Sequence, residues 1–166
     1  SGLSQRFQNE FSILGDAYKK TDLEPRANIG LYHLSSIPTD LAVPMESLRA
    51  NIAWQCGLQD STIMISDAQL QAFRDGAEVH PETSCRGRRG AYLSAAELEL
   101  AAGSSKAWLT CADIEQDASQ VEQLVRFQAE TDNLEKAIEE DCRKTEDKLL
   151  RMLCAADGLQ CTAQPK

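Results

Sequence analysis

The sequence LEKAIEEDCRKTEDKLLRM, residues 134–152, carries the strongest structural signal in the chain. Its apolar and small residues, together with those just upstream, recur at steps of three and four. This spacing follows the 3.6-residue period of an α-helix better than a strict heptad does. The sequence therefore predicts a long C-terminal helix that packs against other helices and turns its charged face to solvent. The apolar stripe comprises Leu124, Phe127, Thr131, Leu134, Ile138, Cys142, Thr145, Leu149 and Met152.

A second pattern predicts where helices start. At Ser66, Ser94 and Thr110 a hydroxyl side chain follows an apolar residue and precedes, by three positions, an acidic or amide side chain. This arrangement combines a capping box with a hydrophobic staple, which together satisfy the first backbone amides of a helix and fix the direction of the entering chain. Gly76 and Gly103 are the predicted ends of the first two helices, because glycine readily adopts the left-handed conformation found there.

Two further helices are expected earlier in the chain. One covers residues 3–20, and the other runs from Pro44 or Met45 to residue 55, with apolar residues at helical spacing. Residues 27–39 between them are uncharged and are interpreted as irregular. A break near residues 117–119 is also expected, because Ser119 and Glu122 have the form of a capping box.

These elements predict a single domain, residues 1–166, of the mainly α class. We expect a disulfide-stapled bundle of about five helices with a long C-terminal helix, and the length suits one hydrophobic core. The alternative is an α+β fold with a small sheet. Its strands would be the short apolar runs at residues 62–65, 91–93 and 107–109, each of which precedes a predicted helix cap.

The cysteines indicate an exported protein. They form an even set without a C-x-x-C pair, a spacing that favours structural disulfides over zinc or thioredoxin-like sites. The set comprises Cys56, Cys85, Cys111, Cys142, Cys154 and Cys161. The chain starts at Ser1, which suits removal of either a signal peptide or an expression tag. An extracellular or periplasmic location is therefore predicted, and buried reduced thiols in a cytosolic protein are the alternative.

Charge and hydropathy exclude several partner classes. The chain carries 26 acidic and 17 basic side chains, a net charge of −9. An acidic surface argues against nucleic acid and anionic membranes as primary partners. The longest run without formal charges, residues 27–39, is too short and too polar to span a bilayer.

No group of residues has the types and spacing of a known catalytic or metal site. The two histidines, His33 and His80, lie outside any zinc-binding pattern, and no glycine-rich phosphate loop is present. His80 lies between Glu78 and Glu82, which is more typical of a solvated loop than of a metal site. The sequence thus predicts no catalytic residues, no metal and no cofactor.

One segment differs from the acidic background. Cys85-Arg86-Gly87-Arg88-Arg89-Gly90 places three arginines within four residues. The glycines indicate a loop, and guanidinium groups suit carboxylate or phosphate partners. Arg86, Arg88 and Arg89 are therefore the predicted partner-binding residues. The competing interpretations are a surface loop whose arginines pair with the protein's own acids and, in a eukaryotic secretory route, a basic processing site.

These observations favour a non-enzymatic exported protein that presents a helical surface to a protein partner. A receptor module, a ligand, a surface antigen and an inhibitor all fit this description, and the arginine loop favours an acidic partner. One alternative is a small exported hydrolase that uses His33 or His80 with nearby carboxylates. Another is a structural subunit of a secreted assembly. The composition by itself does not choose among them.

Overall fold

A computed structural model describes residues 15–36 and 47–155 of the chain. The chain divides into two compact units, Ser1–Glu130 and Thr131–Lys166. All of the described strands belong to the first unit, whereas the second contains a single described helix. The expectation of a single domain stays a prediction.

The first unit is built on a five-stranded antiparallel sheet. Its strands are β1 (Lys19–Glu24), β2 (Ile29–Leu34), β3 (Ala50–Cys56), β5 (Ser84–Arg86) and β7 (Leu109–Gln116). They lie in the order β5-β1-β2-β3-β7, so β5 and β7 form the two edges. In β3 the residues Ile52, Trp54 and Cys56 are buried and alternate with less buried ones, the period-two pattern of a strand with one face in the core.

A second sheet pairs β4 (Thr62–Ser66) with β6 (Gly90–Ala95). Four of the five residues of β4 are buried, including the β-branched Ile63 and Ile65, which suit a buried strand. The core of the described chain comprises Ile29, Ile52, Trp54, Cys56, Leu58, Ile63, Met64, Ile65 and Val125.

Three helices occur in the described residues: α1 (Leu70–Arg74), α2 (Ala118–Glu130) and α3 (Leu134–Ala155). A capping box starts α2: the Asp117 carboxylate accepts the Gln120 backbone N–H at 2.9 Å, and the Gln120 side chain accepts the Asp117 N–H at 3.0 Å. Asn133 caps α3 by accepting the Lys136 backbone N–H at 2.9 Å. None of these helices is both long and apolar enough to cross a membrane.

The predicted fold class is wrong. The protein is β-rich and is not a bundle of five helices. The described residues form seven strands in two antiparallel sheets and three helices, and they are 31% strand and 32% helix. The apolar runs that precede the predicted caps lie in or at the start of strands β4, β6 and β7. Sheet pairing of these runs explains the outcome, since a short apolar run is compatible with either a strand or a helix.

All three predicted helix starts lie in strands. Ser94 pairs with Ile63 inside the second sheet, and Thr110 pairs with Gln55 inside the first. At the third, the Ser66 hydroxyl accepts the Ala68 backbone N–H, but α1 begins later and is only five residues long. Gly76 has a positive φ of 87° just after α1, whereas Gly103 with φ 78° follows no helix.

The other predicted helices also change. The helix expected up to residue 55 overlaps β3, and its supposed apolar residue Leu48 is 79% exposed. Most of the helix predicted at residues 3–20 lies outside the described residues. Of those described, residues 15 and 16 are helical, whereas Lys19 and Lys20 belong to β1. The irregular stretch of residues 27–39 contains β2. The long C-terminal period is divided between α2 and α3 by a break at residues 131–133. A helix does begin near residues 117–119, where a restart was expected, but its capping pair is Asp117 with Gln120 rather than Ser119 with Glu122.

The predicted disulfides are also wrong for the cysteines that the structure describes. No disulfide joins Cys56, Cys85, Cys111, Cys142 or Cys154, and Cys161 lies outside the described residues.

The topology explains this result. Cys85 on β5 lies three strand positions from β3, about 14 Å at the usual strand spacing. Cys142 and Cys154 lie twelve residues apart on one helix, about 18 Å. Both separations exceed the reach of a disulfide, whose Cα atoms lie within about 7 Å. Cys56 and Cys111 lie on adjacent strands but face Leu109 and Trp54 instead of each other. The expected extracellular or periplasmic location therefore loses its main support.

Candidate functional site

A cluster of charged side chains surrounds Asp22 on one face of the first sheet. Strand register places Lys20 opposite both Arg86 of β5 and His33 of β2, with Asp22 two residues further along β1. The Asp22 carboxylate lies 2.8 Å from the Arg86 guanidinium, 3.5 Å from Lys20 Nζ and 3.5 Å from His33 Nε2. One carboxylate thus faces two permanent cations and a histidine.

The environment of Asp22 favours its charged form. Burial raises the pKa of this carboxyl, but the hydrogen bond and positive charge of Arg86, helped by His33 and Lys20, outweigh that effect and hold the pKa below its ordinary value. Asp22 is therefore ionised at neutral pH. Its single negative charge leaves the surrounding surface with an excess of positive charge.

Arg86 is held in place by the backbone as well as by Asp22. Its Nη1 donates to the carbonyl oxygens of Thr21 and Cys85, each at 3.0 Å. Arg86 therefore fixes β5 to β1. It still exposes 51% of its side chain, so its position is fixed while part of the guanidinium faces solvent.

The two other predicted arginines lie in the loop after β5. Gly87 turns the chain there with a φ of 67°, in the left-handed region that favours glycine. Arg88 and Arg89 are exposed, and Arg88 forms no hydrogen bond or ion pair with the described part of the chain. We call Lys20, Arg86, Arg88 and Arg89 together the basic edge. The structure thus places Arg86 on an edge strand, held by Asp22 and two carbonyls, and places Arg88 and Arg89 in the exposed loop that follows.

The opposite edge of the sheet is acidic. A β-bulge in β7 shifts the register between Ala50 and Ile52 of β3, and it places Glu115 in the left-handed region with a φ of 54°. Asn51 accepts the Glu115 backbone N–H at 3.2 Å, and Arg49 donates to the Glu115 carbonyl at 3.0 Å. Asp113 and Glu115 are both exposed on this strand, and we call them the acidic edge.

His33 lines two cavities. Their volumes are about 320 and 470 Å³, and residues 47–50 line both of them. The first is also lined by Arg26, whose guanidinium contacts Glu24 at 2.8 Å and Glu122 at 2.9 Å. Hydrogen bonds from Arg26 hold the pKa of both carboxyls below their ordinary values. These ion pairs connect the β1–β2 turn to α2.

His80 does not form a site. It is exposed, and its backbone N–H and carbonyl bond to the Gln69 side chain at 2.8 and 2.9 Å. The neighbouring Glu82 is already engaged, because its carboxylate accepts the backbone N–H groups of Ile65 and Ser66 at 2.9 and 2.8 Å. No cluster of three or more His, Cys, Asp or Glu side chains within residues 15–36 and 47–155 could hold a metal ion.

Sequence reasoning missed Lys20, Asp22 and the acidic edge. Lys20 was hidden because residues 3–20 were assigned to a helix, and Asp22 lies just beyond that predicted helix. A signal was nevertheless present, since Lys20, Asp22 and Glu24 alternate with Thr21 and Leu23 at the period of a strand. The acidic edge had no comparable signal, because the residues before it resembled a helix start.

Comparison with models of known protein families and with curated proteins gives no match. The proposals below therefore depend on the geometry and charge of the described residues.

Proposed function

We propose that this protein is a non-enzymatic binding protein that recognises an acidic protein partner through its basic edge. The observation that carries the proposal is the gathering of Lys20, Arg86 and His33 around one carboxylate, with two more exposed arginines on the adjoining loop. Positive charge is concentrated here in a chain of net charge −9. Screening at physiological salt limits repulsion from distant acids to about 8 Å, so the local charge dominates the approach of a partner.

The members of the basic edge have different roles in this proposal. Arg86, held by Asp22 and by two backbone carbonyls, shapes the strand from which the loop projects. Arg88 and Arg89 make the contacts with partner carboxylates. Arginine suits this role because its planar guanidinium bonds carboxylates in a bidentate manner and is frequent among interface hot spots.

Binding of a glutamate-rich peptide tests the proposal by isothermal titration calorimetry. We expect the double variant Arg88→Ser/Arg89→Ser to bind at least about tenfold more weakly than the natural chain, with a melting temperature within a few degrees of it. The matched control, Arg143→Ser/Lys144→Ser on α3, removes the same charge and should retain binding. Equal affinity for the natural chain and the loop variant would exclude the basic edge as the binding site.

A second candidate function, a small hydrolase, has one observation in its favour. His33 lines two cavities and contacts an ionised carboxylate, a pairing that can orient a general base. Among the described residues, the His33 ring is hydrogen-bonded to Asp22, and no hydroxyl nucleophile joins the pair. Hydrolysis of a p-nitrophenyl ester that is lost in His33→Gln but retained in His80→Gln would support this candidate. Equal rates in the three proteins would exclude it.

A further inference from the structure

The two edges of the five-stranded sheet carry exposed side chains of opposite charge. Asp113 and Glu115 on β7 are exposed, and neither carboxylate forms an ion pair with a described residue. At the other edge, Arg88 likewise has no charged partner within residues 15–36 and 47–155. Each edge thus presents the charge that the other lacks.

The edges cannot neutralise each other within one molecule. Strand order places β5 and β7 four strand spacings apart, which is about 19 Å across the sheet. An ion pair requires its nitrogen and oxygen atoms to lie within about 4 Å. Contact between the basic edge and the acidic edge therefore requires two molecules.

Strand β7 is also open to a neighbouring molecule. It is eight residues long and pairs with β3 on one side, whereas no described strand pairs with its other side. Ile114, beside the two acids, is 68% exposed. A long exposed edge strand favours association with another chain, because its outward backbone groups and side chains are already displayed.

We propose that the acidic partner is a second copy of this chain, so that the basic edge of one molecule docks on the acidic edge of the next. This inference depends on the proposed function and adds the identity of the partner. The two contacting surfaces differ, so the interface is heterologous and the contact repeats head to tail. Because the attraction is between exposed charges, association should weaken as the salt concentration rises.

Charge reversal on each edge provides the test. Arg88→Glu/Arg89→Glu makes the exposed loop of the basic edge acidic, and Asp113→Lys/Glu115→Lys makes the acidic edge basic. Each variant alone should remain monomeric in sedimentation velocity at concentrations where the natural chain associates. An equimolar mixture of the two should recover association, because each variant then meets its complement. The neutral variant Asp113→Asn/Glu115→Gln, which changes the strand less, should weaken association at least about tenfold.

Three outcomes would overturn the inference. The natural chain could stay monomeric at every concentration in low salt, each charge-reversed variant could still associate alone, or the mixture of the two variants could fail to associate. Binding of the glutamate-rich peptide distinguishes a failure of the self-association proposal from a failure of the proposed function. If the natural chain is monomeric but still binds the peptide through Arg88 and Arg89, the partner is another acidic protein. If the peptide also fails to bind, both proposals are wrong.

Discussion

Two tyrosine hydroxyls in the sheets differ in their hydrogen bonding. Tyr92 donates to the Asn28 carbonyl at 2.7 Å. The Tyr32 hydroxyl is buried without a hydrogen-bond partner among the described residues, and burial raises the pKa of this phenol. We expect Tyr92→Phe to destabilise the protein by about 1 kcal/mol, whereas Tyr32→Phe should change the free energy of unfolding by less than about 0.5 kcal/mol or increase it.

Urea denaturation of both variants measures this difference. The comparison is matched, because each substitution removes one phenolic oxygen and leaves the ring. A Tyr32→Phe variant that is less stable than Tyr92→Phe would show that the Tyr32 hydroxyl forms a strong hydrogen bond in solution.

Gly90 makes room for the Tyr32 ring. A Cβ atom at this position would overlap the ring, and a Cβ on Gly30 would lie 2.7 Å from the Tyr32 hydroxyl oxygen. We expect Gly90→Ala to lower the free energy of unfolding by about 1 to 3 kcal/mol through overpacking.

Gly15→Ala is the control for Gly90→Ala, because nothing lies within 4 Å of an added Cβ there. Thermal denaturation compares the two variants. Equal stability of the Gly90 and Gly15 variants would mean that Tyr32 does not occupy the position described.

At this scale, sequence reasoning identified some site residues and missed their partner. Arg86, Arg88 and Arg89 attract attention because they are a basic cluster in an acidic chain. The anchoring of Arg86 depends on Asp22, which lies 64 positions away in the chain. Only strand pairing between β1 and β5 brings these two residues together, and no local pattern encodes that pairing.

At the scale of elements, the ion pairs of Arg26 connect the β1–β2 turn to α2 and make stability depend on pH. The hydrogen bond from Arg26 lowers the pKa of Glu24 below its ordinary value of 4.5. A carboxyl with a lowered pKa in the folded state stabilises the protein above its unfolded pKa, and this contribution disappears as the pH falls through the folded value. Stability should therefore decrease as the pH is lowered below about 4.5.

The variant Glu24→Gln tests this linkage. Its free energy of unfolding should be lower than that of the natural chain at pH 7 and should fall less steeply on acidification, as measured by urea denaturation at several pH values. Arg26→Met should flatten the same dependence, whereas Arg143→Met on α3 should leave it intact. A Glu24→Gln variant with the natural pH dependence would contradict the assignment.

Helix and strand were confused where local signals fit both. Leu48, Ile52 and Cys56 have helical spacing. Apolar residues also occur at every second position in Ile52, Trp54 and Cys56, which is strand spacing, and this segment forms a strand because it pairs with β2 and β7. The starts of α2 and α3 depend on capping side chains that sequence reasoning did not identify. Asp117 with Gln120 and Asn133 start α2 and α3 through the side-chain contacts that such residues favour.

At the scale of the whole molecule, the cysteines are the clearest correction. Cys142 and Cys154 are exposed on α3, whereas Cys56 is buried. We expect a maleimide reagent to modify Cys142 and Cys154 in the native protein before it modifies Cys56, since reaction requires access to the thiol. Peptide mapping by mass spectrometry identifies the order. Recovery of Cys142 or Cys154 in a disulfide-linked peptide would contradict the structure.

The sequence predicted the helical C-terminal region but not the five-stranded sheet. The runs at residues 62–65 and 91–93, which the alternative α+β fold made strands, lie in the paired strands β4 and β6. A helix leaves a local period in the sequence, and residues 134–152 show it clearly. The first sheet depends on pairs such as Thr21 with Cys85, which lie far apart in the sequence and are brought together only when the chain folds. For the same reason the charge of each edge could not be assigned before the strand order was known.

Mapping the binding of a glutamate-rich peptide by NMR tests the central claim most directly. On titration of the labelled protein at physiological salt, the backbone amide signals of Lys20, Arg86, Arg88 and Arg89 should shift most, and they should return toward their original positions at high salt. The shifts should be absent in the Arg88→Ser/Arg89→Ser variant. Shifts confined to other residues, or no shifts at millimolar peptide, would contradict the assignment of the basic edge as the binding surface.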